Sequence, residues 1–422
     1  MRTALKDAGV SGPLQLAGSH FAMGCVALEI TQRCNLDCAL CYLSDHSEAV
    51  RDVPLEEIYR RIDRIRDQYG PHTNVQITGG DPTLRARNEL IAITRRVRER
   101  GLVPSLFTNG IKATRDLLRD LAEAGLRDVA FHVDMTQGRK GYANERALNA
   151  LRLEYMERVR GLGLHCIFNT TVFDGNLADV QMLAGFFRRE ADLVRMASFQ
   201  LQAETGRGVL GAAGADGLTV PGVLQRIERG AEARLHFDWP QIGHPDCNRY
   251  GSLFVAGRRA EPVFDDEALF AAAFSAGRGL RFDRHKPLTA LRSALAFARK
   301  NPSLVARFAG YGWRKAMALA PGLAASGGKL RKLTFYVHNF MDAGALDAKR
   351  CEACVFMTMT SDGPISMCVH NAKRDAFILQ PVKMSDGQVW RPLKTGDPGA
   401  ELPLKLLKGR RRQEADARRR AN

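Results

Sequence analysis

The segment CNLDCALCY, residues 34–42, contains three cysteines, Cys34, Cys38 and Cys41, in the spacing C-x3-C-x2-C. It follows the strand-like run VALEIT, residues 26–31, so we expect it to form the loop after a first strand. Three thiolates this close can ligate three irons of a four-iron, four-sulfur cluster and leave the fourth iron open to a small molecule. A structural zinc site usually has four protein ligands, so zinc is the weaker interpretation. A chance grouping of thiols is the remaining alternative.

Two further motifs follow the cysteines along the chain. They are Gly-Gly-Asp-Pro-Thr at 79–83 and Thr-Asn-Gly at 108–110. Together with the cysteine segment, they resemble the radical S-adenosylmethionine (SAM) superfamily over roughly residues 24–205. The sequence departs from that pattern at Leu40, where the family usually has an aromatic residue, and at Asp81, where it usually has Glu. Neither departure removes a chemical group that the reaction needs.

The resemblance implies a reaction as well as a fold. SAM would chelate the open iron through its amino and carboxylate groups, and one electron would release a 5′-deoxyadenosyl radical that takes hydrogen from an unactivated carbon. Local alternatives exist, because a Gly-Gly-Asp-Pro run is a common turn and Asp134 can cap the end of a strand. The residues expected to contact SAM are Gly79, Gly80, Asp81, Pro82, Thr108, Asn109, His132, Asp134 and Asn169, with Thr171, Arg139, Lys140, Gln200 and Gln202 as weaker candidates.

Short apolar runs alternate with amphipathic stretches through the first half of the chain. In residues 55–69, Leu55, Ile58, Ile62 and Ile65 recur at spacings of three and four, which predicts a helix. Six predicted strands that alternate with helices indicate an α/β protein with a parallel sheet. The resemblance implies a partial (βα)6 TIM-like barrel. The motifs follow predicted strands, and ligands of such sheets bind at the C-terminal strand ends.

The regular alternation fades past about residue 205, which suggests further parts with a different organisation. The strongly basic tail is expected to be largely disordered. The five predicted parts are an N-terminal extension (1–23), a radical SAM core barrel (24–205), a Gly/Ala-rich linker with a basic, mostly helical insertion (206–333), a small C-terminal auxiliary-cluster domain (334–400) and a basic tail (401–422).

Composition narrows the class of protein. The chain has 422 residues, of which 45% are hydrophobic, and a formal net charge of +16. We find no apolar run of about 18 residues and no apolar core of a signal peptide near the start, so neither a membrane span nor secretion is expected. Nine cysteines suit metal binding in a reducing compartment, which predicts a cytoplasmic location. The positive charge suggests an anionic partner or simply an Arg-rich surface.

A second set of cysteines lies near the end of the chain. Cys351 and Cys354 form C-x2-C, and Cys368 follows Gly363 in a spacing that resembles the auxiliary-cluster regions appended to many radical SAM enzymes. Cys247 can supply a fourth ligand from a distance, which would close the site as an electron-transfer or structural [4Fe-4S] cluster. Zinc suits the same four residues, and unligated cysteines are the remaining alternative.

Short pieces of sequence suggest a substrate class. HVDMTQ (132–137), QAETGR (202–207) and HPDC (244–247) resemble a subgroup that contains archaeal tetraether lipid synthases and pterin-type methyltransferases. Residues 270–333 contain thirteen Lys or Arg and one acid, Asp283, among aromatic and aliphatic residues. This composition suits a helix at the surface of an anionic membrane, or equally a basic helix packed on the barrel.

The leading hypothesis is a radical SAM enzyme that attacks a C–H bond of a lipid or other membrane-associated molecule, in the cytoplasm or on the inner face of the membrane. The alternatives are methylation of a pterin-like small molecule, maturation of a ribosomally made peptide, and a cluster-bearing electron carrier or scaffold without SAM chemistry. A one-electron donor of the flavodoxin or ferredoxin type is expected as a partner. Nucleic acid is not expected, because no nucleic-acid-binding module is recognised.

Overall fold

The first half of the chain alternates strands and helices as the sequence predicts. The predicted N-terminal extension, the basic tail and part of the Gly/Ala-rich linker lie outside the described residues. The residues described by the computed structural model are 24–210, 218–277, 280 and 287–393. The strands of the first half are β1 (Cys25–Thr31), β2 (Asn74–Gly79), β3 (Val103–Thr108), β4 (Asp128–His132), β5 (His165–Val172) and β6 (Val194–Leu201). The helices between them are α1 (Leu55–Tyr69), α2 (Arg87–Glu99), α3 (Arg115–Glu123), α4 (Glu145–Val159) and α5 (Val180–Arg189).

Local chemistry explains where these helices lie. The predicted apolar face of α1 is fully buried at Ile58 and Ile62, as expected for a helix that packs on a sheet. Helix α3 begins after Thr114, whose hydroxyl accepts a hydrogen bond from the Leu117 amide. A cap of this kind stabilises a helix by about 1 kcal/mol.

Strands β1 to β6 pair side by side in sequence order, and every pair is parallel. The connecting helices cover the outer side of the sheet. On that side a row of aromatic rings links neighbouring strands and α5, with centroids 5.5–6.5 Å apart; the rings belong to Phe131, Phe168, Phe187, Phe199 and Phe335. Side chains alternate between the two faces of a strand, so the residues directly before and after these rings on each strand face the interior. This is the partial TIM-like barrel that the sequence predicts.

The C-terminal part of the chain extends the barrel at both edges. Strand β9 (Arg331–Asn339) pairs in parallel with β6, and β10 (Phe356–Thr360) pairs in parallel with β1. The two edges approach each other, because the Phe356 ring lies 5.7 Å from Tyr336 and 4.7 Å from His338. The sequence places these strands in a separate auxiliary region, whereas in the structure they continue the core sheet.

The basic region predicted to be mostly helical also contains a hairpin. Its strand β7 (Asn248–Ala256) pairs antiparallel with the edge strand β9, which supplies the hydrogen-bonding partner that a lone hairpin lacks. The other elements of this region are α6 (Val220–Ala231), β8 (Arg259–Pro262), α7 (Glu267–Ala276), α8 (Pro287–Lys300) and α9 (Pro302–Ala325). Among the described residues, no helix is both long and apolar enough to span a bilayer.

The last described elements include the two short helices that carry Cys351 and Cys368. A hairpin joins β10 to β11, and a short helix follows it directly. These elements are α10 (Ala348–Glu352), β11 (Gly363–Ser366), α11 (Met367–Ala372), α12 (Asp375–Ile378), β12 (Val382–Lys383) and β13 (Val389–Trp390).

Candidate functional site

The first three cysteines lie in the loop after β1, at the C-terminal end of the barrel strands. Each is partly exposed. Burial, together with charge repulsion from Cys41, raises the pKa of Cys34 to about 11, and the same causes raise the pKa of Cys38. The three thiols are therefore near neighbours. The chain after β6 holds the loop in place, because the Val209 amide donates to the Ala39 carbonyl at 2.8 Å.

The glycine pair after β2 allows its loop to contact the cysteine loop. A Cβ atom at Gly79 would lie 1.9 Å from the Thr31 carbonyl oxygen, and one at Gly80 would lie 2.1 Å from that of Arg33. Both distances are far inside van der Waals contact, so only glycine fits. The Tyr42 hydroxyl also donates to the Gly79 carbonyl at 2.5 Å. The two predicted motifs are thus packed directly on each other.

Asp81 joins the glycine motif to the end of β3. Its buried carboxylate accepts hydrogen bonds from the amide and hydroxyl of Thr83, from the Thr108 hydroxyl and from the Asn109 amide. The turn that begins at Pro82 depends on these bonds. Contact between Asp81 and the SAM ammonium group stays a prediction, and the structure adds a second role, because this carboxylate fixes two loops.

Asn109 links β3 to the cysteine loop. Its side-chain amide nitrogen donates to the Asn35 side chain at 2.6 Å and lies 3.9 Å from the Cys34 sulfur. Arg139, a weaker candidate, donates to the Asn109 carbonyl at 2.5 Å, whereas Lys140 is exposed. The structure therefore brings the strand-three motif and Arg139 to the cysteine loop.

His132 and Asp134 form a pair at the end of β4. The Asp134 carboxylate is fully buried and accepts from His132 Nε2 at 2.7 Å, from Thr136 and from the Thr171 amide. Burial alone would raise its pKa, but the His132 charge and these hydrogen bonds lower the pKa to about 2. This arrangement favours the strand-end cap over a ribose contact for Asp134. His132, with a third of its side chain exposed, pairs in register with the buried Asn169.

Arg207 is the residue of this site whose role sequence reasoning missed. Its guanidinium is almost fully buried, and two of its nitrogens have no hydrogen-bond partner. Burial lowers its pKa, but the neighbouring Cys41, Asp37 and Glu48 outweigh that effect and raise it. The only signal in the sequence is its place at the end of the QAETGR piece. The structure thus places a fixed positive charge beside the three thiols.

The second cysteine set is brought together from distant parts of the chain. The thiol of Cys247, just before β7, lies close enough to influence the pKa of Cys351, Cys354 and Cys368. Burial raises the pKa of Cys368 to about 12. The Arg350 guanidinium donates to the Cys247 sulfur at 3.2 Å. The four predicted ligands therefore meet in one region beside the barrel.

Two buried hydroxyl groups adjoin this second set, and one of them, that of Tyr336, has no hydrogen-bond partner. The other belongs to Ser366, which forms hydrogen bonds with the thiols of Cys351 and Cys354. Burial raises the pKa of Tyr336, and the neighbouring Cys25, Tyr250, Cys354 and Cys247 add to this effect. A buried donor such as the Tyr336 hydroxyl is rare inside proteins unless a further group accepts from it. Inorganic or thiolate sulfur is such an acceptor.

The donor sets fit the iron–sulfur groups that the sequence predicts. All nine cysteines are free thiols, and charge interactions link the three of the first set and the four of the second. In the described part of the chain, no three His, Cys, Asp or Glu side chains are arranged around a single metal ion. A four-iron cluster makes a different demand, because each thiolate binds its own iron.

A buried charge network ties the C-terminal region to the cysteine loop. Arg374 donates to both carboxylate oxygens of Glu29 on β1, at 2.8 and 2.9 Å, and to the Tyr42 carbonyl at 2.9 Å. Burial would raise the pKa of Glu29, but Arg374 and its neighbours lower it to about 2. The loop that carries Cys41 is thus held by a residue more than three hundred positions away.

Comparison with known proteins agrees with this geometry. The model of the radical SAM superfamily matches residues 28–187, so the chain carries a radical SAM domain. The chain is 27% identical over 215 residues to a 7,8-dihydro-6-hydroxymethylpterin dimethyltransferase of Methanocaldococcus jannaschii, over 49% of this chain and 42% of that protein. It is 37% identical over 115 residues to a probable GTP 3′,8-cyclase of Pyrococcus abyssi, over 27% of this chain and 36% of that protein.

The chain therefore spans less than half the length of these curated relatives, both of which carry the names of enzymes. Among solved structures, SuiB of Streptococcus suis bound to S-adenosylmethionine is similar, with a TM-score of 0.39 and 15% identity, over 55% of this chain and 49% of that one. The domain class predicted from the sequence is confirmed. The tetraether lipid subgroup stays a prediction.

Proposed function

We propose that this chain is a radical SAM enzyme in which Cys34, Cys38 and Cys41 hold a [4Fe-4S] cluster with one iron free of protein ligands. When bound, the cluster and SAM supply one-electron cleavage of SAM and hydrogen abstraction from an unactivated C–H bond. The observation that carries this proposal is the close packing of the glycine pair and Asn109 against the cysteine loop.

The residues of the chain itself would bind and orient SAM and would exclude water from it. The glycine backbone at 79–80 permits close approach of a ligand to the cysteine loop. Asp81 and Asp134 keep the loops after β2, β3 and β4 rigid, since each uses several hydrogen bonds for that purpose. We expect His132 and Asn169, which face the interior, to contact the nucleoside.

We propose that Cys247, Cys351, Cys354 and Cys368 hold a second, fully ligated [4Fe-4S] cluster. Its support is that four thiols, the Ser366 hydroxyl and the unpaired Tyr336 hydroxyl meet in one region. A flavodoxin or ferredoxin would supply the electron in a reducing cytoplasm. Iron and zinc analysis of protein purified without oxygen distinguishes the proposal from a zinc site: about eight irons per chain support two clusters, and zinc with about four irons overturns the second one.

The proposed substrate is a lipid or another membrane-associated molecule. Support comes from the exposed apolar and basic surface of α8 and α9. Methylation of a pterin-like molecule is the second candidate, and the match to the pterin dimethyltransferase over 215 residues favours it. Modification of a peptide and SAM-independent electron transfer remain outcomes that the experiment distinguishes.

The test is an anaerobic incubation of reconstituted protein with SAM and dithionite. We expect 5′-deoxyadenosine, and its absence from protein with a full iron content would overturn the enzyme proposal in favour of a scaffold. Perdeuterated phospholipid, pterin or peptide is then added in turn. Deuterium in the recovered 5′-deoxyadenosine identifies the molecule whose hydrogen is taken. Label from lipid supports the substrate proposal, and label from pterin or peptide alone contradicts it.

A further inference from the structure

Helix α9 exposes an apolar face along most of its length. A helix turns about 100° per residue, so positions three, four and seven apart share a face. Trp313 lies at the centre of the exposed face, with 70% of its surface accessible, and Met317 and Val305 flank it at 59% and 45%. No polar side chain interrupts the centre of this face. Its other members are small: Ala306, Ala309, Gly310, Ala316 and Ala320.

The opposite face of α9 is anchored to the protein. Lys315 is buried and bonds to Glu261 at 3.1 Å and to Asp265 at 2.8 Å. The Tyr311 hydroxyl donates to the Val263 carbonyl at 2.7 Å. The apolar face is therefore turned outward by specific contacts on the other side of the helix.

Helix α8 adds a second exposed apolar stripe. Leu288, Leu291 and Leu295 lie on one face at spacings of three and four, with 72%, 55% and 49% of their surfaces accessible. Large apolar side chains on one exposed face are uncommon in a protein surrounded only by water. We call these two faces together the α8–α9 surface.

The charges on the α8–α9 surface have a single sign. Residues 287–325 contain no Asp or Glu. The nearby carboxylates on the preceding hairpin and loop are engaged by Lys315, Arg314 and Arg307. The exposed cations along the apolar faces are Arg292, Arg299, Lys300, Arg307 and Arg314.

The helix direction points this surface toward the mouth of the barrel. Gly322, near the end of α9, packs on Gly257 in the turn between β7 and β8. That turn follows the end of β7 that pairs with the beginning of β9. The first turns of α9 therefore point toward the end at which β9 and the other parallel strands finish, which is the end that carries the cysteine loop.

We propose that the α8–α9 surface docks on an anionic lipid bilayer, with Trp313 and the leucines of α8 in the interface and the cations on lipid headgroups. Apolar residues bordered by cations are what such an interface requires. A second copy of the chain offers no complementary carboxylates, because a two-fold interface presents the same acid-free surface twice. Nucleic acid would meet an apolar centre instead of cations. The inference deepens the lipid part of the proposed function and does not depend on the radical chemistry.

The test is flotation of the full-length protein with vesicles of phosphatidylcholine alone or mixed with phosphatidylglycerol. We expect binding to the mixed vesicles that weakens with salt. Trp313→Glu combined with Leu291→Glu should lower the bound fraction about tenfold or more, and Arg292→Gln or Arg299→Gln about fivefold each. Val389→Glu changes an equally exposed apolar residue outside the surface and serves as the control.

Each outcome decides the inference. Equal binding to both vesicle types, or no effect of the Trp313 and Leu291 changes, overturns it. A dimer in sedimentation that the same changes dissociate, without vesicle binding, assigns the surface to a second copy instead. Formation of 5′-deoxyadenosine is measured on the same samples, so a failure of docking is separate from a failure of the radical SAM proposal.

Discussion

The thiol groups of the two cysteine regions come from the chain in different ways. Cys34, Cys38 and Cys41 come from one loop, whereas the second set comes from the residue just before β7, from α10, from the loop between α10 and β10, and from α11. The first loop has a buried cation, Arg207, and the side-chain amide of Asn109 beside it. The second region has the buried hydroxyls of Ser366 and Tyr336.

The difference teaches which region provides chemistry and which provides cohesion. A cluster held by three thiols on one loop would have one iron without a protein ligand. In the proposed second cluster, four thiols from separate elements would leave none, and the cluster would join the added hairpin to the C-terminal elements around β10. The first region therefore depends on the spacing of its cysteines, and the second depends on the whole fold.

The largest expected effect comes from removing one thiol of each set. Cys34→Ala should abolish SAM cleavage, by about a thousandfold or more, because the open iron site is lost. Cys351→Ala should keep SAM cleavage in the absence of substrate and lose about four irons per chain. The measurements are 5′-deoxyadenosine formation and iron content. Loss of cleavage in Cys351→Ala to the level of Cys34→Ala would erase the functional difference between the two regions.

The next effect concerns the connection between the regions. Glu29→Gln or Arg374→Met should lower the free energy of unfolding by roughly 3–5 kcal/mol, because each leaves a buried partner unpaired. The change is measured by urea denaturation, with Arg87→Met, which breaks an exposed pair with Asp120, as the control. An effect as small as that of the control would contradict a structural connection.

The same pair predicts a dependence on pH. The folded-state pKa of Glu29 is about 2, below its ordinary value of 4.5. The pair therefore stabilises the fold above about pH 4.5, and this contribution is lost as the pH falls toward 2. The loss of stability between these values should be smaller in Glu29→Gln than in the unmodified protein, and parallel curves would refute the assignment.

A smaller effect is expected from the charge beside the first region. Arg207→Gln removes a cation near three thiolates, an interaction on the order of 2 kcal/mol. The reduced cluster then becomes harder to form, so its reduction potential should fall and SAM cleavage should slow by about tenfold or more. Arg207→Lys should restore most of both, and Arg331→Gln at the far end of β9 is the control. The potential is followed by electron paramagnetic resonance, and an unchanged potential contradicts this role.

The smallest effect is expected at the second region. Ser366→Ala removes a hydroxyl beside Cys351 and Cys354 and should lower the potential of the second cluster slightly, because a hydrogen bond to sulfur is lost. Cleavage of SAM without substrate should not change. A redox titration of the two clusters checks the first statement, and 5′-deoxyadenosine formation checks the second. A shift in the reduction potential of the first cluster instead of the second would contradict the assignment of this hydroxyl to the second region.

Much of the fold and of the first site can be predicted from the sequence. The helices and strands of the core follow from short-range periodicity, and the glycine pair follows from a local need for close backbone contact. The joining of β9 to β6 and of β10 to β1 is different, because it also depends on which sheet edge elsewhere in the chain is left without a partner. For the same reason the hairpin β7–β8 was not predicted within the helical region.

The sequence by itself determined the three-cysteine loop, the alternating core and the radical SAM class, because each depends on residues within a few positions of one another. The tertiary structure brings Cys247, a distant candidate in the sequence, near Cys351, Cys354 and Cys368, and it shows the cap formed by Asp134. Only the tertiary structure decided that Arg207 lies beside the first thiols. These facts depend on contacts between segments far apart in the chain, and side-chain hydrogen bonds and charges become specific only when the fold brings those segments together.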